Sequence, residues 1–166
     1  MRSRPRAVRT GRDGHSERAR RASEFVISTN GGVSMEEAET SSLFERVGGA
    51  AGVECIVEAF YARVEGDLPL REIYPEDLEP GKAKLKLYLE QWLGGEPRYS
   101  VRYGHPRLRM RHLPFAIGEH AAGRWLRHMR AAMQASGVGE AEERVIFAQL
   151  APLAHHMVNR HDEDVR

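Results

Sequence analysis

Gly104-His105-Pro106-Arg107-Leu108-Arg109-Met110-Arg111-His112-Leu113-Pro114-Phe115 is the stretch on which the reading of this sequence turns. Arg107 to His112 predicts a short helix, and Pro114 closes it because proline has no N–H to continue the ladder. His112 therefore ends a helix at a fixed angle. Leu108, Leu113 and Phe115 supply apolar cover beside it, and Arg109 and Arg111 supply cations able to pair with carboxylates. This combination suits a flat apolar ligand that carries a metal and acidic groups.

Working outward, residues 96–111 are rich in Gly, Pro and Arg and read as an ordered loop leading into that short helix. Before them, Leu85, Tyr88, Leu89 and Trp92 fall on one face of a helix over 81–93, stopped by Gly94-Gly95. Earlier still, Val53, Ile56, Val57, Phe60 and Val64 recur at three- and four-residue intervals. That helix ends at Gly66-Asp67, with Pro69 beyond it. A turn follows through Ile73 and Tyr74 to Pro75. Leu43, Phe44 and Val47 form a short apolar cluster closed by Gly48-Gly49. On the other side of the central stretch, Trp125, Leu126, Met129 and Met133 mark a helix over 118–135. Val145, Ile146, Leu150, Leu153, Met157 and Val158 mark an inward face on another over 140–159. Strand patterns and internal repeats are absent, so the fold class is all-α.

The chain has 166 residues, 41% hydrophobic and 30% charged, enough for one domain of residues 41–162 plus an extension of residues 1–40. Arginine dominates the first part of that extension and apolar residues are almost absent. It reads as a disordered basic segment, and Met35 would make an alternative start. A formal net charge of +1 gives no support to a nucleic-acid partner. The single cysteine, Cys55, excludes an internal disulfide and reads as a small packed residue in a cytoplasmic protein. No apolar run reaches the ~20 residues of a membrane span.

The candidate chemistry narrows by exclusion. The eight histidines show no His-Glu-x-x-His, and no cysteine pairs with them at zinc-site spacing. Nor is there a Gly-x-Ser-x-Gly elbow or a phosphate-cradling glycine loop. Read alone, each histidine is more often a surface or structural residue. Tyr61 is either a core-edge tyrosine or a hydroxyl held in an apolar cavity, where a donor without a partner is costly. Trp125 is either core bulk or an N–H donor facing a ligand.

Phe60-Tyr61, Tyr74-Pro75-Glu76-Asp77, Leu89-Glu90-Gln91-Trp92-Leu93-Gly94-Gly95, the central stretch and Trp125 follow the order and spacing of group II truncated haemoglobins. Met157-Val158-Asn159 also resembles that group. The resemblance covers residues 43–159. It implies a truncated globin, a two-over-two helical sandwich around haem b, with His112 as the proximal iron ligand. It implies Tyr61, Tyr74 and Trp125 on the distal side, Leu85 over the iron, and Gly81 near the distal gate. The implied cofactor contacts are completed by Tyr88, Phe115, Arg109 and Arg111. Expected ligands are oxygen, nitric oxide, carbon monoxide and small anions, with slow oxygen release. Nitric oxide dioxygenation or peroxide turnover, served by a reductase, would follow from that. The alternative is a haemless helical interaction or sensor domain of the same fold.

Overall fold

The computed structural model describes residues 41–162, and among them all regular structure is helical. The expectations for residues 1–40 lie outside this range. In chain order the helices are α1 (Leu43–Arg46), α2 (Gly49–Gly66), α3 (Leu68–Arg71) and α4 (Glu79–Trp92). There follow α5 (Arg98–Tyr103), α6 (Leu108–His112), α7 (Glu119–Ala135) and α8 (Glu140–His156).

Each long helix forms where apolar residues recur every three or four positions. Val53, Ile56, Val57, Phe60, Tyr61 and Val64 make α2 the central element, with its whole stripe buried. Each fully buried side chain of this size contributes roughly 1.5–3 kcal/mol. Met129, Ala132 and Met133 of α7 and Ile146, Phe147 and Leu150 of α8 join the same core.

Ion pairs give the directions. Lys82 reaches Glu58 at 2.6 Å and Lys86 reaches Glu54 at 2.7 Å, so α4 runs antiparallel to α2. Arg130 meets Glu143 at 2.9 Å and Glu119 meets His155 at 2.7 Å, so α7 and α8 form a second antiparallel pair. Two helices over two is the resulting arrangement, with α2 packed on α7.

The short helices are set by local chemistry. A reciprocal Ser42–Glu45 capping box starts α1. The elbow from α1 into α2 brings Gly52 against the Val47 carbonyl, where an added Cβ would lie only 1.8 Å from the oxygen. Asp67 ends α2 and caps α3 through the Leu70 amide at 3.4 Å. Its carboxylate also takes two 3.0 Å bonds from Arg124 and one of 2.6 Å from His128. One aspartate thus ties α2, α3 and α7 together.

Four expectations need correction. Residues 98–103, read as loop, form α5, which Gln91 fastens to α4 by bonding Ser100 at 2.8 and 2.9 Å. The last helix stops at His156. Cys55 is exposed on the outer flank of α2. Val145 is 44% exposed, and Phe147, with the Arg130 guanidinium 4.1 Å over its ring, is buried in its stead.

Candidate functional site

Arg107 opens α6 in the left-handed region, with φ at 42°, a conformation that costs a non-glycine residue about 1–2 kcal/mol. The turn it makes aims the short helix so that His112 is half-buried at its far end. Nδ1 of His112 lies 2.7 Å from the Leu108 carbonyl. A carbonyl only accepts, so Nδ1 is the donor, and Nε2 is the nitrogen left to face a ligand. That is the arrangement of a metal-ligating imidazole whose orientation is fixed by its other nitrogen. Met110, Leu113 and Phe115 stand around it as exposed apolar side chains, 58%, 49% and 37% accessible.

The end of α8 holds this segment in place. Asn159 donates from Nδ2 to the His112 carbonyl at 3.1 Å and accepts from the Ile117 amide at 3.3 Å. Its own amide bonds the Ile117 carbonyl at 2.9 Å. Arg109 and Arg111, read from the sequence as carboxylate partners, both donate to main-chain carbonyls. Arg109 reaches His156 and Val158, and Arg111 reaches Tyr103 at 3.0 Å.

A second cluster lies where α2, α4 and α7 meet. Tyr61 is buried beside Phe60, with the rings edge-to-face at 5.4 Å. Tyr74 meets Tyr61 at 6.0 Å, again edge-on, and Trp125 meets Phe60 at 5.3 Å. Burial, with Glu79 nearby, pushes the Tyr61 hydroxyl up to about 12. Burial, with Tyr61 beside it, raises Tyr74 well beyond its ordinary value, opposed by a hydrogen bond from the Trp125 indole. Phenols are protonated at neutral pH in any case, and these shifts keep both able to donate in more alkaline solution as well. Gly81 is the reason the Tyr61 hydroxyl fits: a Cβ there would come within 2.9 Å of it. Leu85 and Tyr88 follow Gly81 on the same face of α4, at four and seven residues' remove, and both are half-buried.

Bacterial-like globins as a family match residues 42–159 of this sequence.

The chain belongs to the bacterial-like globin family.

Its relatives include several group II truncated haemoglobins, and group 1 truncated haemoglobins match as well. The globin is 40% identical over 111 residues to the group 2 truncated hemoglobin YjbI of Bacillus subtilis, covering 67% of this chain and 84% of that one. Among solved structures it resembles a hemoglobin of Chloroflexus aurantiacus at 48% identity and a TM-score of 0.70, over 72% of this chain and 99% of that one. It also resembles a truncated haemoglobin of Bacillus subtilis described as oxygen-avid, at 39% identity and a TM-score of 0.68, over 72% and 100% of the two chains. The two-over-two fold and the haem-based ligand binding of the family follow from this membership. No helix among the described residues is long and apolar enough to cross a membrane.

The residues present fit a haem. His112 offers an imidazole oriented through Nδ1, and an apolar collar surrounds it. The sequence reading missed the part played by Asn159. The only signal for it was its place in the terminal Met157-Val158-Asn159 triad.

Proposed function

We propose that the globin holds haem b through His112 and binds oxygen, nitric oxide, carbon monoxide and small anions, releasing oxygen slowly. When bound, haem supplies an iron at which such ligands coordinate. Tyr61, Tyr74 and Trp125 then act as the hydrogen-bonding side of the site. Trp125 donates to the Tyr74 oxygen, which leaves the Tyr74 proton to point onward. Tyr61 presents its own hydroxyl from a dry setting. The observation that carries the reading is the edge-on meeting of these two phenols, Tyr61 buried and Tyr74 half-buried, with Trp125 beside them.

Each donor to a partly negative ligand atom is worth about 1–3 kcal/mol in such a setting. About 1.4 kcal/mol is a factor of ten in rate. Slow release, as the oxygen-avid relative's description suggests, favours chemistry over transport. Nitric oxide dioxygenation or peroxide turnover in the cytoplasm, with electrons from a reductase, suits it best.

Absorption spectra of ferric and dithionite-reduced protein test the first step, for wild type and His112→Ala. An intense Soret band that shifts on reduction and is altered in the variant supports ligation by His112. No Soret band after hemin is added would leave a haemless interaction domain. For the second step, Tyr61→Phe should speed oxygen release in stopped-flow by about tenfold for the one bond lost, and Trp125→Phe should speed it by freeing Tyr74 from the indole that orients it. Unchanged rates would reduce both residues to packing.

A further inference from the structure

The functional reading above leaves Tyr99 and Tyr103 without a task, yet with Tyr88 they form a second aromatic series. Tyr88 lies on the Gly81–Leu85 face of α4. Its ring is 5.7 Å from that of Tyr99, which is 3% exposed, and Tyr99 is 5.2 Å from Tyr103. Tyr103 is half-exposed, so the series runs from the α4 face to the surface. Its outer end is cationic. The Arg102 guanidinium stands 5.3 Å and Lys84 Nζ 5.8 Å over the Tyr103 ring, and Arg111 bonds the Tyr103 carbonyl at 3.0 Å. Packing α5 on α4 would account for Tyr88 and Tyr99. It does not account for a solvent-reaching tyrosine at the end of the row among three cations.

We propose that Tyr103 is a surface oxidation site at which small anionic one-electron donors reduce the peroxide-treated globin, with Tyr99 and Tyr88 carrying the electrons inward. This rests on the haem reading above and names its reducing substrate class. Hydrogen peroxide needs two electrons and two protons to become two waters, and a donor such as ferrocyanide gives one electron at a time. Tyr103 passes an electron inward and loses its hydroxyl proton to solvent, leaving a neutral phenoxyl. A ferrocyanide electron and a solvent proton restore the phenol. Two such rounds consume one peroxide, two ferrocyanides and two protons, and yield two waters and two ferricyanides. The neighbouring cations disfavour a positive ring, so the proton leaves with the electron. They also concentrate anionic donors, an attraction that salt screens.

The test uses the full chain loaded with hemin, as wild type, Tyr103→Phe and Tyr103→Trp, each first checked for its Soret band. After hydrogen peroxide, freeze-quenched electron paramagnetic resonance should show a tyrosyl signal that Tyr103→Phe loses. Ferrocyanide oxidation should be several-fold slower in Tyr103→Phe, largely kept in Tyr103→Trp, and slowed in wild type by added salt. If Tyr103→Phe keeps its Soret band, the tyrosyl signal and the ferrocyanide rate, the proposal is overturned and the haem reading stands. A chain that takes up no hemin overturns both. Salt-independent rates would overturn the cationic entry point.

Discussion

Gly81 and Tyr61 divide one small space between them. An added methyl at position 81 would come within 2.9 Å of the Tyr61 oxygen. That oxygen ends a side chain wedged edge-on against Phe60 and Tyr74, so it has little room to retreat. Gly81→Ala should turn the hydroxyl away from its present direction at small cost in stability, because alanine is the better helix former by about 1 kcal/mol. Oxygen release from the hemin-loaded, reduced variant should rise toward the rate of Tyr61→Phe, while the melting temperature holds or rises. A release rate equal to wild type would show that the hydroxyl has slack. At this scale the sequence was informative about identity and silent about partners. Tyr61, Tyr74 and Trp125 could be picked out by spacing and resemblance. That the Trp125 indole is engaged with Tyr74 depends on where the turn after α3 lies against α7, which no spacing encodes.

Helices were legible in proportion to their apolar periodicity. The stripe of α2 reads directly from Val53 to Val64, and every member is buried. By contrast α5 is six residues long, and Tyr99 is its one buried residue. It is stabilised by a side chain from another helix, Gln91, and so leaves no local period to find. Cys55 and Val145 were misjudged for a related reason: each neighbours a buried residue but lies one step round the helix from its apolar stripe. The short α6 belongs with α5 in this respect. Five residues cannot hold a helix alone, and α6 depends on Arg109 and Asn159 reaching across to and from the end of α8. Asn159→Ala should therefore loosen the element that carries His112 while the core stays intact. Transfer of hemin to a scavenging apoglobin should be faster by about tenfold, the effect of one hydrogen bond near 1.4 kcal/mol, with the helical circular dichroism of the unloaded protein unchanged. Equal transfer rates would mean that the main-chain bonds around Ile117 suffice.

For the whole molecule, the Asp67 carboxylate joins three helices, and the His128 bond, then Arg124 and the Leu70 amide, holds it below the usual carboxylate range. A carboxylate with a depressed native value adds stability that is present above its unfolded value, near 3.8, and is lost as pH falls through the lower native one. Asp67→Asn should remove that dependence. It should cost about 1–2 kcal/mol at neutral pH, the range of a charged hydrogen bond made neutral while asparagine keeps the cap, and the difference from wild type should shrink in acid melts below the unfolded value. A constant gap across pH would assign the loss to shape instead of charge. The Arg109 link, which joins α6 to the last carbonyls of α8, has a consequence for motion. Residues 108–113 and the final turn of α8 are tied to each other through Arg109 and Asn159, so they should open as one unit. In native-state hydrogen exchange their protection should rise and fall together when hemin is added, although more than forty positions separate them in sequence. The end of α8 would then report, by its own exchange rate, how firmly His112 is held.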